Sequence, residues 1–174
     1  LRKLLKANGV IDENFNWTFN KDHVVFTGDF VDRGPMVTEV LWLIYSLEEK
    51  AKAAGGYVHY ILGNHEIMNM NGDVRYVHAR YPEHAALMNK PYTQLFGADT
   101  ELGRWLSTKN IAERVGNMLF VHGGISSYVN EMQLPLKKLN DLVRPHYRDS
   151  AVEYTDPRLD ICLSDLGPFW YRGY

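Results

Sequence analysis

Three short clusters in this chain carry residue types able to hold a metal ion and move a proton. They are Gly28-Asp29-Phe30-Val31-Asp32-Arg33-Gly34, Gly63-Asn64-His65-Glu66 and His122-Gly123-Gly124. A carboxylate at Asp29, an amide oxygen at Asn64 and an imidazole at His122 make a donor set suited to a borderline divalent ion such as Mn, Fe or Zn. Structural zinc prefers thiolates, and the sole cysteine here is Cys162. Just beyond the first carboxylate, Asp32 and Arg33 add a second acid and a guanidinium fork shaped for the oxygens of a tetrahedral phosphate. His65, beside Asn64, is placed to give a proton to a leaving alkoxide. Glu66 would either orient that imidazole or cap the following turn. Asp32 also has a plainer reading, as a turn residue bonding its own backbone.

Those side chains need a scaffold that brings them together, and each cluster follows a short apolar run: Val24–Phe26, Tyr57–Leu62 and Met118–Val121. Such runs read as buried strands, and open α/β sheets hold their sites at strand C-termini. Between the first two lies the clearest helix, Met36–Ala53, with Val37, Val40, Leu41, Ile44 and Leu47 on one face, Glu48-Glu49-Lys50 towards solvent and Gly55-Gly56 as its stop. The unit is βαβ, so its strands run parallel and release Asp29 and Asn64 at one end of the sheet. Leu1, Leu4 and Leu5 form an apolar stripe on what reads as the last turns of an amphipathic helix, Leu1–Asn8, ended by Gly9.

Downstream, Met68–Asn89 has no clear period and reads as an irregular binding loop, with His78 and His84 as candidates to line the site. A short helix is expected over Glu101–Ser107, capped by Asp99 or Thr100. Ile111–Val115 and Met118–Val121 flank Gly116-Asn117, a pair suited to a type II′ hairpin turn. A helix over Leu134–Val143 is ended by Pro145, and Asp156-Pro157 and Gly167-Pro168 mark loops.

Composition limits the chemistry further. With 174 residues, 45% of them hydrophobic, the chain suits one globular domain spanning 1–174. A net charge of -2 and a pI near 6.4 give no basic field for nucleic acid. No segment reaches the length of a membrane-spanning helix, and no signal peptide is visible, so no membrane or nucleic-acid partner is expected and no compartment is assigned. Cys162 reads as a buried apolar side chain, and the aromatic cluster Trp170, Tyr171 and Tyr174 as packing.

Taken in order, GDFVDRG, GNHE and HGG resemble the phosphoprotein-phosphatase branch of the calcineurin-like metallophosphoesterases. The closing GPFWYRGY resembles the Shewanella-like bacterial phosphatases within it, and the likeness spans Val24–Tyr174. The resemblance implies an α/β fold, a β-sandwich flanked by helices, with two divalent metals (Mn, Fe or Zn) at the strand ends. By the same resemblance Asp29 is the bridging ligand, Asn64 and His122 ligate the second metal, Arg33 and Arg172 contact phosphate, and His65 is the general acid. The implied reaction is attack of a dimetal-bound hydroxide on a phosphomonoester, the substrate being a phosphorylated protein (Ser/Thr or Tyr) or a small phosphoester. A dinucleoside polyphosphate hydrolase and a non-catalytic binding domain are the alternatives. The family's opening Asp-x-His-Gly and its last histidine ligand do not occur in Leu1–Tyr174. The chain is therefore expected to be a fragment, truncated at both ends and inactive by itself.

Overall fold

Residues 1–150 and 154–173 are described by a computed structural model. The first element is a short helix, α1 (Arg2–Ala7), which Gly9 follows at φ 67. Its stripe is narrower than expected. Leu5 is buried, but Leu4 is 63% exposed. Strand β1 (His23–Phe26) leads to helix α2 (Val37–Ala53), which returns to strand β2 (Tyr57–Tyr60). The two strands pair in parallel, with Phe26 opposite Tyr60, so the loops after both emerge side by side.

Helix α2 owes its docking to Leu41, Ile44, Leu47 and Ala51, none of which retains measurable exposure. Each of the larger three contributes about 1.5–3 kcal/mol on burial. Its acidic segment is less solvated than expected. Glu48 accepts from Trp105 Nε1 (3.0 Å) and Lys109 Nζ (2.6 Å), and Lys50 donates to the Phe15 carbonyl. Only Glu49 of the three is exposed.

The stretch 68–89 is more regular than its sequence suggests. Helix α3 (Asn64–Asn71) runs through Met68 until Gly72 takes the left-handed conformation (φ 93), and helix α4 (Arg80–Leu87) occupies the second half. Two features hid them. Buried Ile67, Met68 and Met70 crowd the first helix among polar neighbours, and Pro82 sits in the first turn of the second, where its missing N–H costs nothing. A 3₁₀ turn, Tyr92–Phe96, then leads to helix α5 (Glu101–Ser107), capped by Thr100, whose hydroxyl accepts from Gly103 N (3.1 Å).

Strands β3 (Ala112–Val115) and β4 (Met118–Val121) form an antiparallel hairpin. Gly116 at the turn has φ 60 and Asn117 is not among the positive-φ residues, as a type II′ turn requires. The strand runs are less buried than expected. Met118 and Leu119 are 57% and 49% exposed, and Val24 and Val25 are half-buried, because each small sheet has two strands and pairs only one edge of each. The hairpin is tied to β2 by the parallel bridge Ile61–Asn110, and Val121 pairs with Ala112, two residues beyond Asn110. That register carries His122 to the end of β2.

Helix α6 (Ser127–Glu131) is capped by Ser126, and helix α7 (Leu136–Val143) is fastened to β3 by Asn140. The buried amide of Asn140 accepts from Ile111 N (2.9 Å) and donates to Ala112 O (2.9 Å). Asp156-Pro157 starts a helix instead of marking a loop. The Asp156 carboxylate accepts from Arg158 N (3.0 Å), and Pro157 is the first residue of helix α8 (Pro157–Leu163). Of the closing aromatics, Phe169 is buried and Trp170 is 37% exposed, while Tyr174 lies outside the described residues.

Helix α8 buries Cys162 completely, and burial pushes its thiol up to about 11. The thiolate is the reactive form, so at pH 8 the native protein should resist iodoacetamide and label fully only after denaturation. Native labelling at the rate of a free cysteine would show that α8 does not dock in this way.

Candidate active site

The site is assembled around a carboxylate that is not a metal donor. Glu66 is fully buried; its Oε2 accepts from Asp29 N (2.9 Å) and Gly63 N (2.7 Å), and its Oε1 from Phe30 N (2.7 Å) and the Tyr60 hydroxyl (3.0 Å). Burial raises the Glu66 carboxyl above its ordinary value, against the opposing pull of the Asp29, Phe30 and Gly63 amides. Of the two roles open to Glu66, capping is therefore the one seen, and it also ties the β1 loop to the start of α3. The backbones meet so closely there that a Cβ on Gly28 would strike Gly63, and one on Gly63 would strike the Asp29 side chain.

Three donor atoms converge at that junction. His122 Nδ1 lies 2.6 Å from the Thr27 carbonyl, which can only accept, so the proton is on Nδ1 and the Nε2 lone pair points inward. Nε2 stands 3.0 Å from Asn64 Oδ1 and 3.3 Å from Asp29 Oδ2. Three such acceptors can share a cation. Ligands held at about 2.0–2.2 Å from one ion stand roughly 3 Å apart, so the spacing suits a divalent metal. Burial would raise the Asp29 carboxyl, yet contact with His122 holds it below the usual carboxylate range; burial would lower His122, yet Asp29 and the Thr27 carbonyl hold it above the usual imidazole range. Among the described residues no group of three or more His, Cys, Asp and Glu side chains is placed to hold a metal ion, and the donor set described here counts the amide oxygen of Asn64 as its third member.

On the other flank of α3, His65 and Asp32 form a buried pair, with His65 Nδ1 donating to Asp32 Oδ2 at 2.6 Å. Asp32 is thus more than a turn residue, although its backbone is also special: Asp29, Asp32 and Arg33 have φ of 60, 68 and 55. Its second oxygen accepts from Asn69 Nδ2 (2.8 Å), and Asn69 Oδ1 accepts from the Tyr92 hydroxyl (2.6 Å).

The two arginines are placed differently. Arg172 comes to His122 directly, its Nη2 3.4 Å from Nε2, because Gly123 N bonds Pro168 O (2.7 Å) and so packs the HGG turn against the closing segment. Arg33 is exposed, its guanidinium 5.0 Å from the Tyr76 ring centroid, and that ring lies 5.3 Å from the His65 ring. A groove of about 430 Å³ lined by Leu1, Leu4, Asp29, Asp32, Met36 and Val40 adjoins the loop. His78 and His84 do not reach the site: His78 Nδ1 accepts from Arg80 N, and His84 is exposed on α4.

Sequence reasoning passed over Asn69, Tyr76 and Tyr92. Asn69 follows His65 by four positions, the spacing of one helix face, and reading 68–71 as helix would have found it. Tyr76 comes from an irregular segment and Tyr92 opens a short 3₁₀ turn, and neither leaves a periodic signal.

The calcineurin-like phosphoesterase family model matches residues 1–171, and the chain belongs to that family. Membership implies divalent metal ions, and similarity to Shewanella-like protein phosphatases bears out the resemblance read from the sequence. The chain is 46% identical, over 98% of its own length and 52% of the other, to the cold-active protein-tyrosine phosphatase of a psychrophilic Shewanella sp., with a TM-score of 0.93. It is also 34% identical to an uncharacterized Schizosaccharomyces pombe protein, covering 98% of this chain and 52% of that one. Shewanella-like protein phosphatase 2 of Arabidopsis thaliana is 28% identical over 82% of this chain and 47% of its own length. The chain thus spans about half the length of these relatives.

Three of the four partners of Glu66 are backbone N–H groups, which only donate, so Glu66→Gln turns an amide NH₂ against at least one of them. The orphaned donor should cost about 1–3 kcal/mol in urea unfolding. An unchanged midpoint would show that the carboxylate is dispensable as a tie.

Proposed function

We propose that the protein hydrolyses phosphomonoesters, acting on phosphorylated protein. The observation that carries this is the convergence of Asp29 Oδ2, Asn64 Oδ1 and His122 Nε2 beside the Arg172 guanidinium, with a buried His65–Asp32 pair next to it. Similarity to a protein-tyrosine phosphatase supports phosphotyrosine as a substrate.

Asp29, Asn64 and His122 would hold divalent metal. When bound, the metals supply Lewis acidity for the phosphoryl oxygens and a nucleophile from water at neutral pH. The chain's own residues do the rest. Arg172 and Arg33 bind and orient the phosphate through charge-assisted hydrogen bonds. His65, protonated at Nε2, donates to the leaving oxygen, while the bond from its Nδ1 to Asp32 fixes the ring and stabilises the imidazolium form. Asp32 is fully committed to His65 and Asn69, so it serves as the orienting anion and not as a ligand.

Two outcomes test the reading. Asp29→Asn, whose fold should persist because Asn also accepts a left-handed backbone, should lose bound Mn²⁺ and phosphatase activity together; retention of the parent's metal content would refute the ligand assignment. Replacing Arg33 by Lys keeps the charge but loses the bidentate fork, and should weaken inhibition by inorganic phosphate by roughly tenfold. If Arg33→Lys is inhibited as the parent is, Arg33 holds Tyr76 and not phosphate.

A further inference from the structure

We infer that Asn69 and Tyr92 are positioning residues that hold the Asp32 carboxylate, and through it the His65 imidazole, in one orientation for proton delivery; the inference rests on the phosphatase reading above. The four side chains form one continuous buried relay. His65 Nδ1 donates to Asp32 Oδ2 (2.6 Å), Asn69 Nδ2 donates to Asp32 Oδ1 (2.8 Å), and the Tyr92 hydroxyl donates to Asn69 Oδ1 (2.6 Å). Asp32, His65, Asn69 and Tyr92 are each 7% exposed or less.

The relay has a defined direction, set by the two acceptors that face Asn69 Nδ2, and the phenol completes it. Asn69 Nδ2 also donates to the His65 carbonyl (3.0 Å), so both acceptors on that side need the NH₂ group. A flipped amide would turn its oxygen onto a carboxylate and a carbonyl and leave Asp32 Oδ1 without its donor. With the amide as seen, its oxygen must find a donor in the interior, and the Tyr92 hydroxyl is that donor. Burial first, and the charge of Asp32 second, hold the Tyr92 phenol well above its ordinary range, which keeps it in the donor form. The ring itself is fixed by Phe96 (centroids 5.7 Å) and Tyr81 (6.2 Å).

The consequence for the reaction lies in which Asp32 rotamer survives. One carboxylate oxygen is reserved for the imidazole and the other for the amide, so Asp32 cannot rotate away from His65 or swing towards the metal donors without breaking two bonds. The His65 ring is then held with Nδ1 inward and Nε2 free to face the leaving oxygen. Without the Tyr92 hydroxyl, the Asn69 oxygen is left unpaired in the interior, and the amide is held less firmly against Asp32.

Tyr92→Phe tests this, because it deletes one oxygen and keeps the ring contacts. Two readouts are needed. The first is independent of activity: the strongly hydrogen-bonded His65 Nδ1 proton, observed by NMR in metal-free protein, should shift upfield and exchange faster with solvent. The second is the dependence on leaving group, since proton donation matters most for a poor one. In the metal-loaded protein, kcat for an alkyl phosphate should fall roughly tenfold more than kcat for nitrophenyl phosphate, with KM for both near the parent's. Asn69→Ala should give the same pattern in a stronger form and serves where Tyr92→Phe does not fold. A His65 proton that keeps its position and exchange rate, or equal loss on both substrates, would overturn the inference and leave Tyr92 a packing residue. If the parent itself turns over no phosphoester, the phosphatase reading fails, and the proton resonance alone still decides whether the relay orients His65.

Discussion

Everything at the site depends on one buried carboxylate accepting four hydrogen bonds. Glu66 joins the loop after β1, the end of β2 and the first turn of α3. These segments contribute a donor each to the candidate metal centre or stand next to one that does. A buried anion is expensive to desolvate, and it is tolerated here because each oxygen lone pair meets an N–H or O–H. The geometry that follows is rigid for the same reason: moving either strand end orphans at least one backbone donor.

From this junction the two chemical tasks diverge. Asn64 and His65 are adjacent in the first turn of α3, and successive helical residues point about 100° apart. Asn64 faces His122 and Asp29, while His65 faces Asp32. A single residue step in one helical turn thus separates the Asn64–His122–Asp29 cluster from the His65–Asp32 pair. Asp29 and Asp32 repeat the division three residues apart on the β1 loop, whose left-handed residues turn the two carboxylates to opposite flanks of the helix end.

The three clusters and their meeting point were legible in the sequence, because glycine after an apolar run marks a strand end and a βαβ unit fixes which ends coincide. The hairpin was legible from Gly116-Asn117. Two kinds of information were not. Polar helices such as α3 and α4 bury Met, Tyr and Asn instead of a leucine stripe, so periodicity missed them, and Asn69 with them. Partner choice was hidden as well: nothing local shows that Glu66 bonds backbone amides while Asp32, three dozen residues earlier, takes the imidazole. Such choices are made in three dimensions by who lacks a donor. The exposure of Met118 and Leu119 belongs in the same class, since a strand's composition does not say how many of its edges are paired.

The left-handed backbone of the β1 loop carries a consequence for how this chain can drift. Non-glycine residues there cost about 1–2 kcal/mol each, least for Asp and Asn, which bond locally. Random replacement at Asp29 or Asp32 is therefore filtered first by conformation, and among side chains that pass, asparagine is the nearest in shape. The exchange that the backbone forgives most readily is the one that erases the charge. A lineage under selection for folding alone would slide towards asparagine at these two positions before losing the scaffold, keeping the shape of the loop while its charge drained away.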